Sequence, residues 1–131
     1  MTILVNWKAK DLQEGMENMM LGAKADYENF HTSNGRKEIV PGSYGDTELK
    51  EYDNKTKVSF GKKFIKVVQG TSVFAFIVKE DTDKFKKGDI LKPAGYNAPA
   101  QNGARGNVLT GNYYIQWTGP LYMDSQRRLR G

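Results

Sequence analysis

Two periodicities, one after the other, limit what this chain can become. From Leu12 the apolar side chains fall at Met16, Met19, Met20, Ala23, Tyr27 and Phe30, steps of three and four that line one face of a 3.6-residue spiral. Further on, residues 57 to 69 and 71 to 79 are dense in β-branched and aromatic side chains on either side of Gly70, which predicts a hairpin. In the second run Phe74, Phe76 and Val78 alternate with Val73, Ala75 and Ile77, so both faces are apolar. Such a strand belongs inside a sheet covered on each side. A helix ahead of a mainly antiparallel set of strands predicts an α+β domain.

Local signals refine this frame. Asp11 is the expected N-cap of the helix with Glu14 as its capping-box partner, and Asn34-Gly35 offers a left-handed stop. Gly15 and Gly22 each weaken the helix by about 1 kcal/mol against Ala, so tertiary packing must hold it. Residues 2 to 8 predict a short strand before the helix. Residues 35 to 57 carry Gly35, Pro41, Gly42 and Gly45 without a sustained period, and read as a long connection with a short strand near Glu38 to Val40. Ile90-Leu91-Lys92, halted by Pro93, and residues 112 to 117 predict two more strands, about five in all. Residues 93 to 111 form a long basic loop rich in Pro and Gly. An OB-like barrel is the nearest competing architecture and is disfavoured by the early helix.

A chain of 131 residues fits one domain. Within it the charge is divided. Residues 1 to 56 hold seven Lys/Arg and ten Asp/Glu, and residues 57 to 131 hold thirteen and five. An acidic helical part, 1 to 56, thus precedes a basic β-rich part, 57 to 125, and a basic tail, 126 to 131, that is expected to fray. The net +5 conceals a far more basic second half. A one-sided positive field gathers and steers polyanions, so nucleic acid is the first partner class.

Other chemistries are thinly supported. With no Cys and a single His, disulfide frameworks, thiolate nucleophiles, catalytic triads and zinc sites built from His and Cys are excluded. His31 lies at the expected helix C-terminus, where the dipole favours a cationic cap. Asp81 and Asp83 sit in a charged turn and read as solvated. No P-loop or dinucleotide fingerprint is present, so no enzyme, cofactor or metal is expected. The apolar start stops at Asn6 without a basic leader or cleavage site, and no run approaches the roughly 18 apolar residues of a spanning helix. The reading is of a mature, cytosolic chain with no membrane partner.

Two stretches carry the binding expectation. Lys62, Lys63, Lys66 and Lys92, with Lys57, Lys84, Lys86 and Lys87, surround strand residues that include Phe60, Phe64 and Phe85. Ammonium groups that neutralise phosphates beside rings that stack on bases make up a single-strand-binding surface. The bland alternative is that the lysines keep sheet edges soluble and the Phe residues are core. In the loop, Gly95, Gly103 and Gly106 permit close backbone approach around Tyr96 and Arg105, a ring and a guanidinium suited to a base and a phosphate. Equally, Arg105 caps carbonyls or pairs with Asp89, and Tyr96 covers a sheet edge. The Met16, Met19 and Met20 stripe is core or an adaptable docking face.

The segment that combines GKKFIKVVQ, SVFAFIV, GDILKPA, APA and ARGNV, residues 61 to 109, resembles small uncharacterised proteins of tailed bacteriophages and environmental viruses, in which a Trp often stands where this chain has Tyr96. The resemblance implies a viral origin and assigns no functional residue. The expectation is therefore a phage-encoded, non-enzymatic nucleic-acid-binding accessory protein of the host cytoplasm, single strands favoured, using Lys62, Lys63, Lys66, Lys92, Tyr96 and Arg105. The alternatives are a virion structural or decoration protein, or an inhibitor that binds a host protein. The oligomeric state stays open at this level.

Overall fold

The computed structural model describes residues 3 to 33, 35 to 101 and 103 to 120. In chain order the elements are β1 (Ile3–Val5), α1 (Leu12–His31), α2 (Tyr44–Lys55), β2 (Thr56–Phe60), β3 (Phe64–Gln69), β4 (Ser72–Val78), β5 (Ile90–Leu91), β6 (Pro93–Gly95), β7 (Ala98–Pro99), β8 (Tyr113–Gln116) and β9 (Gly119–Pro120). They assemble into antiparallel sheets ordered β2-β3-β4-β5, β1-β8-β9 and β6-β7. The architecture is α+β, as the two periodicities require. The basic tail lies outside the described residues.

α1 begins where its sequence says it should. The Glu14 N–H donates to Asp11 Oδ1 at 2.8 Å, and Glu14 Oε1 accepts from the Lys10 N–H at 3.4 Å. At the other end the Thr32 N–H returns to Glu28 O. Its core face carries Met16, Met19 and Ala23 against Val5 and Ile115 of one sheet and Ile65, Val67, Ala75 and Ile77 of the other. The two glycines mark the closest approaches. A Cβ on Gly15 would lie 2.7 Å from Val108 O, and one on Gly22 would lie 2.7 Å from Val5 Cγ2. The helix propensity they forfeit is exchanged for contact with the turn at Val108 and with β1 and β8.

The long connection expected over residues 35 to 57 instead contains α2, and the expected strand at Glu38 to Val40 does not form. Ser43 caps α2 by accepting from the Asp46 N–H, while Asp46 Oδ2 accepts from the Gly42 N–H at 2.8 Å. Tyr52 is the one residue that α2 buries fully, so no apolar stripe advertised it. Ion pairs hold it instead, Lys50 to Asp46 at 3.1 Å and Lys55 to Glu48 at 2.6 Å. The expected single run from 57 to 69 is likewise two strands, β2 and β3, turned at Gly61-Lys62-Lys63.

β4 is the central strand that its two apolar faces predict. Ala75 and Ile77 join the core under α1, and Phe76 and Val78 pack with Phe85 and Leu91 on the opposite face. The Gly70 turn that joins it to β3 has φ of +65°, which a side chain resists.

Candidate nucleic-acid interface

The pleat sorts the basic strand residues onto one face. In the β2-β3 ladder Val58 faces Val67 and Phe60 faces Ile65, on the side of the sheet that α1 covers. Ser59 faces Lys66, so Lys57, Ser59, Phe64 and Lys66 point to the opposite side. The acidic helix and the strand lysines therefore occupy opposite faces of one sheet.

Tyr96 is brought to that lysine face by the β6-β7 ribbon, whose register sets Gly95 opposite Ala98 and leaves Tyr96-Asn97 at its tip. The Lys66 ammonium lies 4.1 Å from the centroid of the Tyr96 ring and donates to Asn97 Oδ1 at 2.9 Å. Tyr96 remains 57 % exposed, so a large part of the ring is open to a partner while the cation polarises it. Asn97 was not singled out in the sequence; its only signal is an amide at a loop tip. Lys62 and Lys63 are exposed in the β2-β3 turn. The Lys79 ammonium fixes that turn by donating to Gly61 O at 3.0 Å.

The remaining site residues stand apart. Arg105 is buried, with 5 % exposure, and its N–H donates to Ile90 O at 2.7 Å, which places it in the wall of the sheet beside β5. Its guanidinium is not on the exposed lysine face. Lys92 is half-buried after β5, its carbonyl accepting from the Ala100 N–H at 2.7 Å. Of the three strand and turn Phe residues, Phe85 is core and Phe64 is half-buried edge-on to Phe76, while Phe60 is exposed on the α1 side. Among the described residues the exposed ring beside Lys66 is thus Tyr96, and the candidate site centres on Lys66, Tyr96 and Asn97, with Lys57 on the same face of the sheet and Lys62 and Lys63 in the turn that joins β2 to β3.

Elsewhere His31, the last residue of α1, packs its ring edge-on to Tyr27 at 4.5 Å within an aromatic cluster that includes Phe30 and Tyr44. Among the described residues no group of three or more His, Asp or Glu is placed to hold a metal ion, and no helix is long and apolar enough to cross a membrane. One further surface is prominent. An open groove of about 630 Å³ runs between α1 and β2, with Met16, Met20, Leu21, Val58 and Phe60 on its walls and Glu17 and Asp53 at its rim. Compared with protein-family models, with curated proteins and with solved structures, the chain gives no significant match to any of them.

Proposed function

We propose that this chain is a non-enzymatic nucleic-acid-binding accessory protein, phage-encoded and working in the host cytoplasm, that holds single strands on the lysine face of its four-stranded sheet. The observation that carries the reading is the Lys66–Tyr96 pair, an exposed ring with a cation on its face, on the side of the sheet turned away from the acidic helix. In this reading Lys57, Lys62 and Lys63 follow successive phosphates and Tyr96 stacks on one base, a contact indifferent to base identity.

Fluorescence anisotropy with labelled oligothymidylate and an RNA of equal length tests it across a salt series. Neutralising three or four phosphates of a single strand gives a slope of log affinity against log salt of roughly −2 to −3. Replacing Lys62 and Lys63 with Gln flattens that slope, whereas Tyr96→Ala lowers affinity by about 1–3 kcal/mol and leaves the slope in place. Affinity that ignores salt, or no binding to either strand at low salt, sinks the proposal. A second reading, a virion structural protein, is favoured by the exposed apolar groove beside β2, and co-sedimentation with particles at high salt supports it.

A further inference from the structure

β2 is an outer strand of its sheet, and the hydrogen-bond parity of its neighbour shows which groups it leaves open. The Gly61 N–H donates to Phe64 O and the Gly70 N–H to Lys55 O, at 2.9 Å each. In an antiparallel ladder inward-bonded residues alternate. Lys55, Lys57, Ser59 and Gly61 therefore bond towards β3, and Val58 and Phe60 turn their N–H and C=O groups outwards, as does the Thr56 C=O, whereas the Thr56 N–H donates to Asp53 O at the end of α2. Among the described residues no strand pairs with them. The β2-β3 register runs without a bulge and β2 contains no Pro, so two common devices that blunt an edge are missing. Beside this edge Leu21 and Phe60 are 59 % and 64 % exposed at the mouth of the groove.

We infer that β2 pairs antiparallel with β2 of a second copy about a two-fold axis through Val58, joining two four-stranded sheets into one of eight. The edge is self-complementary. With Val58 opposite Val58 of the other copy, Thr56 faces Phe60; the Val58 pair exchanges both of its bonds, and each Phe60 N–H meets an outward Thr56 C=O. Lys57 then faces Ser59, so no like charges meet across the joint. Val58 and Phe60 of both copies lie on the α1 side, so the two apolar grooves meet side by side across the joint and merge. The inference stands independently of the nucleic-acid reading, because the lysine face is the other face of the sheet.

Analytical ultracentrifugation of the full chain across a concentration series tests it. The wild type is expected at twice the mass of one chain at high concentration. Val58→Pro removes an outward N–H while sparing the inner ladder, and Phe60→Lys sets a charge in the merged groove. Both variants are expected to sediment as monomers with unchanged far-ultraviolet circular dichroism, and if the proline variant fails to fold, Phe60→Lys decides. A wild type that stays monomeric to millimolar concentration overturns the inference. So does a dimer that survives Phe60→Lys.

Discussion

At Gly15 and Gly22 the chain gives up helix propensity in two places on one face, and the neighbours explain both. Val108 presses on Gly15, and Val5 and Ile115 press on Gly22. Gly15→Ala improves intrinsic helix formation by about 1 kcal/mol, yet its Cβ would meet the Val108 backbone, which cannot swing away as a side-chain tip can. The expected outcome is a net loss of about 1–3 kcal/mol, read as a lower midpoint in urea with an unchanged slope. An unchanged or higher midpoint would show that the Val108 loop yields. Arg105 teaches the converse lesson. Glycine-rich flanks read alike whether a guanidinium is presented or enclosed, and only the pairing of residues 105 to 108 with residues 88 to 90 decides that it is enclosed.

Among the elements, α1 and β4 were readable because each buries enough surface to impose its period on the sequence. α2 was not. It buries only Tyr52 fully and otherwise meets α1 through polar and rim contacts, Lys24 to Asp53 at 3.2 Å and the Tyr27 hydroxyl donating to Glu48 at 3.3 Å, so ion pairs and a cap leave no apolar rhythm. That construction makes it the acid-sensitive element. The Gly42 N–H, and after it Lys50, holds the Asp46 carboxyl below the usual carboxylate range, and Lys55, followed by Tyr44 and Tyr27, does the same for Glu48. A depressed carboxyl stabilises the fold above its ordinary pKa of roughly 4, and the benefit is lost as pH falls through the lower folded value. Thermal midpoints should decline from about pH 4 downwards, and less steeply in Glu48→Gln. Parallel acid profiles for the variant and wild type would remove Glu48 from that account.

Across the whole molecule the separation of charge seen along the chain becomes a separation in space, with the acidic α1 on one face of the central sheet and Lys57 and Lys66 on the other. The sequence shows the two totals; the pleat alone assigns them to faces, and it sends Phe60 to the face opposite Lys66. The core has its own titration signature. Burial, followed by the charge of Glu48, pushes the Tyr27 hydroxyl up to about 12, and burial raises Tyr52 and Tyr113 as well. A raised phenol contributes stability that is complete below its ordinary pKa of about 10 and is lost above it. Of the seven tyrosines, some should therefore gain phenolate absorbance only as the fold collapses in alkali. A single smooth titration ahead of unfolding would show these hydroxyls to be open to water.

The pairing of β1 with β8, Ile3 against Ile115 and Val5 against Tyr113, has a consequence for synthesis on the ribosome. β1 is translated long before the partner that must hydrogen-bond to it, and α1 waits with it, its methionine face lacking the floor that Tyr113 and Ile115 supply. A nascent chain stalled anywhere in the glycine-rich loop presents that face to chaperones and proteases. Only when Tyr113 and Ile115 have been made does that face gain its floor.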